Sequence, residues 1–436
     1  MSSDLSAIQQ LQHDPSTLGH AEELTAAWLR ADAGLNVASV QLRPSAVSLN
    51  SFNGIAVLST PFSGNDQVFF KTHVEPGGVI TEYYNAHVLD EAGYNTLQPL
   101  RKVEAAGRQV AIYPVVAWPT MFDLSREVER LETDVRFEGL LAAEKQHCED
   151  RLNIYSSTGR VSTGAEHKRA PIHQLFGQRL SGPRYSDFYG SSRFVTTDGE
   201  AVAFSDILSA TLTINGVEQP RTLSELVSEA LQTLRPDRPA FTVVGHGDDH
   251  YGNVFLQDEE RFLLFDPAFA GRHDALLDIV KSTYHGVFAQ WMYFPEEYAN
   301  DMAVSVVTSP GHIEIDYTPY VTVLRHEYLQ VKQQQLLAPL VSWLGSQGAL
   351  AEGVRPLHLA LMCCPLLTLN LADENRFPSA IGWLGLAQAA QMGNWDVAQD
   401  LGLPERVRTT ALVRDEGLCD ERLRDDLETV ELRYDT

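Results

Sequence analysis

The hydrophobic rhythm of this chain changes twice, and no other feature constrains its fold as much. Apolar residues first recur at helical spacing, at Leu5, Ile8 and Leu11 and again from Ala21 to Leu29. Residues 37–42, 48–59 and 67–72 then alternate with a period of two and are rich in β-branched side chains. Pro44, Pro61, Gly64 and Asn65 punctuate them, as turn formers do between antiparallel strands. After Pro76, Gly77 and Gly78 the spacing predicts a helix over 80–91, stopped by Gly93, and two more strands over 100–103 and 109–116. From Asp123 the rhythm returns to helix, over 140–152, 223–234, 320–345 and 357–392. A sheet of about five strands broken by one helix, then a helical remainder, is an α+β arrangement.

Composition sets the outer bounds. The 436 residues are 44% hydrophobic and 21% charged, enough apolar surface for a substantial core. The net charge of −25 opposes a polyanionic partner, so neither nucleic acid nor an anionic membrane surface is expected. The same charge slightly favours a cationic ligand, although acidity also serves solubility. Cys148, Cys363, Cys364 and Cys419 form no CxxC pair and no disulfide framework. The opening MSSDLSAIQQLQ lacks a signal-peptide pattern, and the most apolar stretch, 357–372, is short and interrupted by Pro365, so a cytoplasmic location is expected. Nothing in the sequence fixes an oligomeric state. Residues 153–220 read as loop-rich and are locally basic through Arg160, Lys168, Arg169, Arg179, Arg184 and Arg193, while the end from Asp415 is acidic.

The chemistry concentrates in FTVVGHGDDHYGNVFLQDEERFLLFDPAFAGRHDALLD, residues 241–278. An apolar strand leads into His246-Gly247-Asp248, and Asn253 follows five residues after that aspartate. Residues 254–256 and 261–265 predict a hairpin turning at Asp258-Glu259-Glu260, with Asp266 at its end. Such a hairpin presents the oxygens of Asn253 and Asp266 side by side. Carboxylate and amide oxygens suit Mg²⁺, which takes phosphates and waters as its other ligands. Asp248 is then available to accept a hydroxyl proton as that hydroxyl attacks a γ-phosphate in line. A local turn of Gly, Asp and Asn is the alternative. His246, Asp249, His250 and His273, with Asp266 and Asp274, are dense enough to raise a zinc or iron site, but no HxH, HExxH or Cys/His spacing occurs. No GxSxG elbow supports a hydrolase.

HGDDHYGN followed by FDPAFAG resembles the catalytic-loop and metal-loop pair of the aminoglycoside phosphotransferase and choline kinase-like group, and the FDPA wording is similar to that of fructosamine kinases. The resemblance makes Asp248 the catalytic base, Asn253 and Asp266 the magnesium ligands, and Asp278 a brace for the catalytic loop. It also asks for a phosphate-binding lysine and a helix glutamate. FFKTH offers Lys71 on a strand, where a charge between Phe69 and Phe70 is costly unless paired, and Glu82 lies eleven residues later. An edge-strand charge and an exposed helix face are the plainer readings of those two residues. A GxGxxG phosphate loop is absent; Ser51, Asn53 and Gly54 stand in its place and could equally form a hairpin turn. Residues 113–118 fall where the resemblance puts an adenine-reading hinge.

What the resemblance implies is a two-lobed protein-kinase-like fold, with a small antiparallel-sheet lobe and a large, mostly helical lobe. The expected divisions are 1–118, 119–414 and an acidic tail over 415–436. The expected activity is ATP- and Mg²⁺-dependent phosphoryl transfer to a hydroxyl of a small molecule: a sugar, an amino sugar or an amine-bearing metabolite. A catalytically silent nucleotide-binding regulator and a nucleotidyl-transferring enzyme are the alternatives.

Overall fold

The computed structural model describes residues 5–43, 51–73, 85–103, 109–131, 134–318 and 321–394. It is a mixed α/β structure in which antiparallel sheets are combined with many helices. Glu82, residues 48–50 of the expected second strand, residues 80–84 of the expected 80–91 helix and the acidic end lie outside the described residues.

Five strands form the first sheet: β1 (Val37–Leu42), β2 (Ser51–Phe62), β3 (Asn65–His73), β4 (Arg101–Val103) and β5 (Gln109–Pro114), in the order β1-β2-β3-β5-β4. All four pairings are antiparallel. Because side chains alternate across a strand, the two faces differ in kind. Phe52, Val68, Phe70, Val110 and Ile112 are buried against Trp28 and Leu29 of helix α2 (Leu18–Asp32) and Leu5 and Ile8 of helix α1 (Leu5–Leu11). The opposite face carries Asn53, Lys71 and Ala111, neighbours in register across β2, β3 and β5. Phe69, Tyr113 and Leu97 gather with Ala111 in a small separate apolar cluster.

Gly54 lies inside β2, opposite Leu42 and Phe70, and not in a turn. A Cβ there would come within 2.4 Å of the Gln41 carbonyl oxygen, so the close approach of β1 requires glycine. The hairpin-turn alternative for Asn53 and Gly54 therefore gives way to strand.

Helix α3 (Ala86–Ala92) ends on Gly93 at φ 102°, the left-handed stop that its glycine predicts. Leu89 and Tyr94 pack with the main core, which runs on through helices α4 (Met121–Val128) and α5 (Phe137–Thr158) to Met392. The helix over Leu223–Thr233 starts at a capping box: the Thr222 side chain accepts from Glu225 N while Glu225 reaches back. The expected 320–345 helix is observed as Val323–Lys332 and Ala338–Ser346 joined by a π-helical stretch, Gln333–Leu337. Pro339 follows that stretch, and the wider turn accommodates the N–H it lacks. The expected 357–392 helix is two helices, Arg355–Thr368 and Ser379–Gly393, separated by a stretch ending in Pro378.

Residues 153–220 are more ordered than a loop. They contain short helices, the strand pair Arg193–Val195 and Ala201–Ala203, and a packed aromatic group in which Tyr189 stacks on Phe204 at 4.4 Å and Phe194 meets Trp383 at 5.7 Å. Thr211–Ile214 enters a second, four-stranded sheet with Val217–Glu218, Ser305–Ser309 and His312–Asp316, none of which the periodicity singled out. Each of its strands is five residues or shorter, too brief for a period to register. Cys148, Cys363 and Cys364 are buried free thiols. No helix among the described residues is long and apolar enough to cross a membrane.

Candidate active site

The strand Ala240–Gly245 sits between Arg160–Ser162 and Gly271–Asp274 in a three-stranded sheet, and its end delivers His246, Gly247 and Asp248. Two glycines make that delivery possible. A Cβ on Gly245 would fall 2.2–2.3 Å from the Asp278 carboxylate, and Gly247 adopts φ 79° with the Phe269 carbonyl 2.8 Å from where a Cβ would be.

The segment is then tied down from three sides. Asp278 accepts from Gly247 N at 2.7 Å, from His273 Nε2 at 2.6 Å and from the Tyr155 hydroxyl of α5. Burial alone would raise the Asp278 carboxyl, but His273, Arg151 and Tyr155 reverse this and hold it well below the usual carboxylate range. Asp249 is buried and ion-paired to Arg151 of α5. The Tyr251 hydroxyl donates at 2.8 Å to Glu144 of α5, which also holds Lys332 at 2.5 Å in a buried ion pair. His246 Nε2 donates to the Phe265 carbonyl at 2.9 Å, linking the loop to the residue before Asp266. The His and Asp cluster in this segment is therefore spent on bracing: Asp274 pairs with Arg238, and His250 Nδ1 accepts from Gly252 N at 3.1 Å. Among the described residues no group of three or more His, Cys, Asp or Glu could hold a metal ion.

The hairpin forms in the expected register, Val254–Gln257 against Arg261–Leu264. One step beyond it, Phe265 N donates to the Asn253 carbonyl at 3.1 Å, so Asn253 and Asp266 emerge at adjacent ends. Asn253 Nδ2 donates to the Asp248 carbonyl at 2.9 Å, leaving its Oδ1 as the atom able to ligate a cation. Asp266 adopts φ 56°, a left-handed conformation uncommon outside glycine and tolerated by aspartate. Its carboxylate forms an ion pair with the Lys71 ammonium. Both side chains remain partly open, at 22% and 23% exposure, so the pair is reachable from solvent.

Three backbone links hold the first sheet beside this hairpin. Leu97 N donates to the Leu264 carbonyl at 2.8 Å, Leu264 N to the Asn95 carbonyl at 2.9 Å, and Leu256 N to the Pro119 carbonyl at 3.0 Å. Asp248 is half-buried, and its Oδ1 is buried with no hydrogen-bond partner among the described residues. His250 senses the same assembly: burial lowers its pKa most, the charges of Asp248 and Asp266 raise it, and those of Lys281 and Lys71 lower it.

Asp248, Asn253, Asp266 and Lys71 are therefore brought together, and Asn53 faces the same way as Lys71 across the β2–β3 register. Ser51 begins β2, opposite His73. The two hard oxygen donors, Asn253 Oδ1 and the Asp266 carboxylate, fit magnesium better than a soft metal. Residues 115–118 leave β5 as an irregular connection to α4, beside the cluster of Ala111, Tyr113, Phe69 and Leu97. The basic stretch is divided between contacts and cavity. Arg184 donates to the Leu367 carbonyl at 3.0 Å, while Arg160 and Arg169 join Arg272 around a cavity of about 240 Å³.

Sequence reasoning passed over Lys281, His285, Tyr293 and Thr368, which lie close to His250. Lys281 and His285 stand four apart just after Asp278, a one-face spacing that was there to be read. Glu144, Arg151 and Tyr155 were passed over too; they recur at helical intervals along α5 but carry no motif.

No family model matches the chain, and no curated protein matches it. Among solved structures it is similar to the macrolide 2'-phosphotransferase MphH of Brachybacterium faecium, with 13% identity and a TM-score of 0.30, over 77% of this chain and 96% of that one. It is also similar to an ethanolamine kinase of Plasmodium vivax, with 10% identity and a TM-score of 0.40, over 89% of this chain and 94% of that one. Overlap this slight carries neither a fold nor an activity across.

Proposed function

We propose that this chain is a small-molecule kinase, moving the γ-phosphoryl group of ATP to a hydroxyl of a small acceptor. The observation that carries the reading is the Lys71–Asp266 ion pair at the mouth of the braced loop that presents Asp248. It joins an ammonium, a hard-oxygen pair and an unpartnered carboxylate oxygen in one place, the set that phosphoryl transfer uses.

Lys71 would bind the α- and β-phosphates, with Asn53, Gly54 and Ser51 on the neighbouring strand β2. Asn253 and Asp266 would hold magnesium, which neutralises charge on the phosphate oxygens when bound. Glu82 would orient Lys71. The apolar cluster of Ala111, Tyr113, Phe69 and Leu97 would face the adenine ring, with residues 113–118 as the hinge. Asp248 would take the acceptor's proton as its oxygen forms the new bond to phosphorus and the bond to ADP breaks. Asp278, Arg151 and Glu144 keep the loop in place, so little reorganisation is needed when the reactants meet. In this reading 1–118 and 119–414 act as two lobes with ATP between them, 415–436 is an acidic tail, the enzyme works in the cytoplasm, and neither nucleic acid nor a membrane takes part.

The test is incubation of the full chain with γ-labelled ATP, Mg²⁺ and a metabolite extract, followed by mass analysis of labelled products. A gain of one phosphoryl group supports the reading. A gain of a nucleotide monophosphate makes the chain a nucleotidyl transferase, and ATP binding without any product makes it a silent regulator.

A further inference from the structure

Lys281 is buried, 4% exposed, on the helix Val280–Val287 that follows the loop-bracing Asp278. Its ammonium has His285 Nε2 at 2.9 Å and Thr368 Oγ1 at 3.5 Å. Neither partner is an acid, and among the described residues three N–H donors meet two acceptors. His285 continues through Nδ1 to the Tyr293 hydroxyl at 2.7 Å, and its ring lies 5.8 Å from that of His250, two residues past Asp248. Asp248, His250, Tyr293, Thr368 and Arg179 are all half-buried, and the charges of Asp248 and Arg179 act on the Lys281 ammonium. Phe122 packs edge-on 5.2 Å from Tyr293 and stacks on Phe294 at 5.8 Å.

A buried ammonium without an acidic partner is expensive. Burial lowers the Lys281 pKa most; Asp248 raises it, and Arg179 and Arg184 lower it further. The carboxylate that offsets this cluster is thus the one assigned to the acceptor's proton. An amine-bearing acceptor would add a cation to a group already rich in them, whereas an anion would supply the missing charge.

We infer that Lys281, with Thr368 and Arg179, forms the acceptor site and that the acceptor is a hydroxyl compound bearing an anionic group, a carboxylate or a phosphate monoester. The anionic group rests on Lys281 while the hydroxyl reaches Asp248. The inference rests on the kinase reading and narrows its acceptor, replacing the amine-bearing class that net charge favoured.

The test separates a metabolite extract by ion exchange into anionic, neutral and cationic fractions and offers each to the full chain with γ-labelled ATP and Mg²⁺. Label is expected with the anionic fraction; prior phosphatase treatment removes the acceptor if its charge is a phosphate ester and spares it if it is a carboxylate. Label with only the neutral or cationic fraction overturns the inference and leaves the kinase reading standing, whereas no label in any fraction overturns both. With the acceptor so found, Lys281→Met should raise its KM at least about tenfold while the KM for ATP moves less than about twofold, a factor of ten being about 1.4 kcal/mol. Arg179→Gln, half-buried and less demanding to fold, should raise the same KM by about two- to fivefold, on the scale of one partly exposed charge contact. A rise in the KM for ATP in place of the acceptor's would overturn it as well.

Discussion

Lys71 and Asp266 meet in an ion pair across 195 residues of sequence, joining the third strand of the first sheet to the end of the hairpin that follows Asn253. Ammonium and carboxylate thus neutralise each other in the chain alone; under the proposed function each would exchange this partner for phosphate or cation when nucleotide and magnesium bind.

Lys71→Met should lower kcat/KM at least about 100-fold, mainly through the KM for ATP, because it removes the charge proposed to bind phosphate. The pair is partly exposed and contributes at most about 1 kcal/mol to stability. Thermal melts of the variant should therefore stay close to those of the parent. A large loss of Tm with unchanged ATP affinity would make Lys71 a structural charge.

Asp248→Ala should lower kcat by about 10²–10⁴, the range for losing a positioned base, while ATP affinity measured by calorimetry stays within about twofold. Parental turnover in this variant would remove Asp248 from the chemistry.

Gly245→Ala should destabilise the protein by about 1–3 kcal/mol in urea unfolding, because the new methyl group would overlap the Asp278 carboxylate. Activity should fall with it, since Asp278 also holds Gly247 N.

Glu144→Gln should cost about 3–5 kcal/mol, because it leaves the buried Lys332 ammonium without its counter-charge. The double variant Glu144→Gln with Lys332→Met should recover much of that loss, and a double-mutant cycle measures the coupling.

Stability should fall as pH drops from about 7 to about 4, by up to about 1.4 kcal/mol per pH unit for each histidine kept neutral by the fold. Burial pushes His147 down to about 3 and His173 down to about 4. Between those values and the ordinary histidine range the unfolded chain binds more protons than the folded one, so acid favours unfolding. Tm measured across this range should decline steadily, and His147→Gln should flatten part of the slope.

The strands were legible wherever local alternation sufficed. Residues 37–42 form β1 at the expected bounds, and 67–72 lie within Asn65–His73. The hairpin from Val254 and the placement of Asn253 beside Asp266 could also be read, because a short turn leaves two strands one register. The short helices and strands within 153–220 were not legible; their apolar residues serve a core assembled from distant segments, as when Phe194 of the strand Arg193–Val195 packs on Trp383. The site was legible only in its motif. Lys281 and His285 stood in plain view at helical spacing, but only Thr368 and Tyr293, from other segments, join them in one hydrogen-bonded cluster.

By itself the amino-acid order determined which stretches pleat, which coil, and which loop bears Asp248 between two glycines. Those properties depend on neighbours a few residues away, so local sterics and hydrophobic period settle them. Tertiary structure alone decided that Lys71 faces Asp266, that Arg151 and Tyr155 hold the loop from α5, and that Lys281 lies buried without an acid. Such meetings follow from how whole elements pack around a shared core, and no spacing along a chain encodes them.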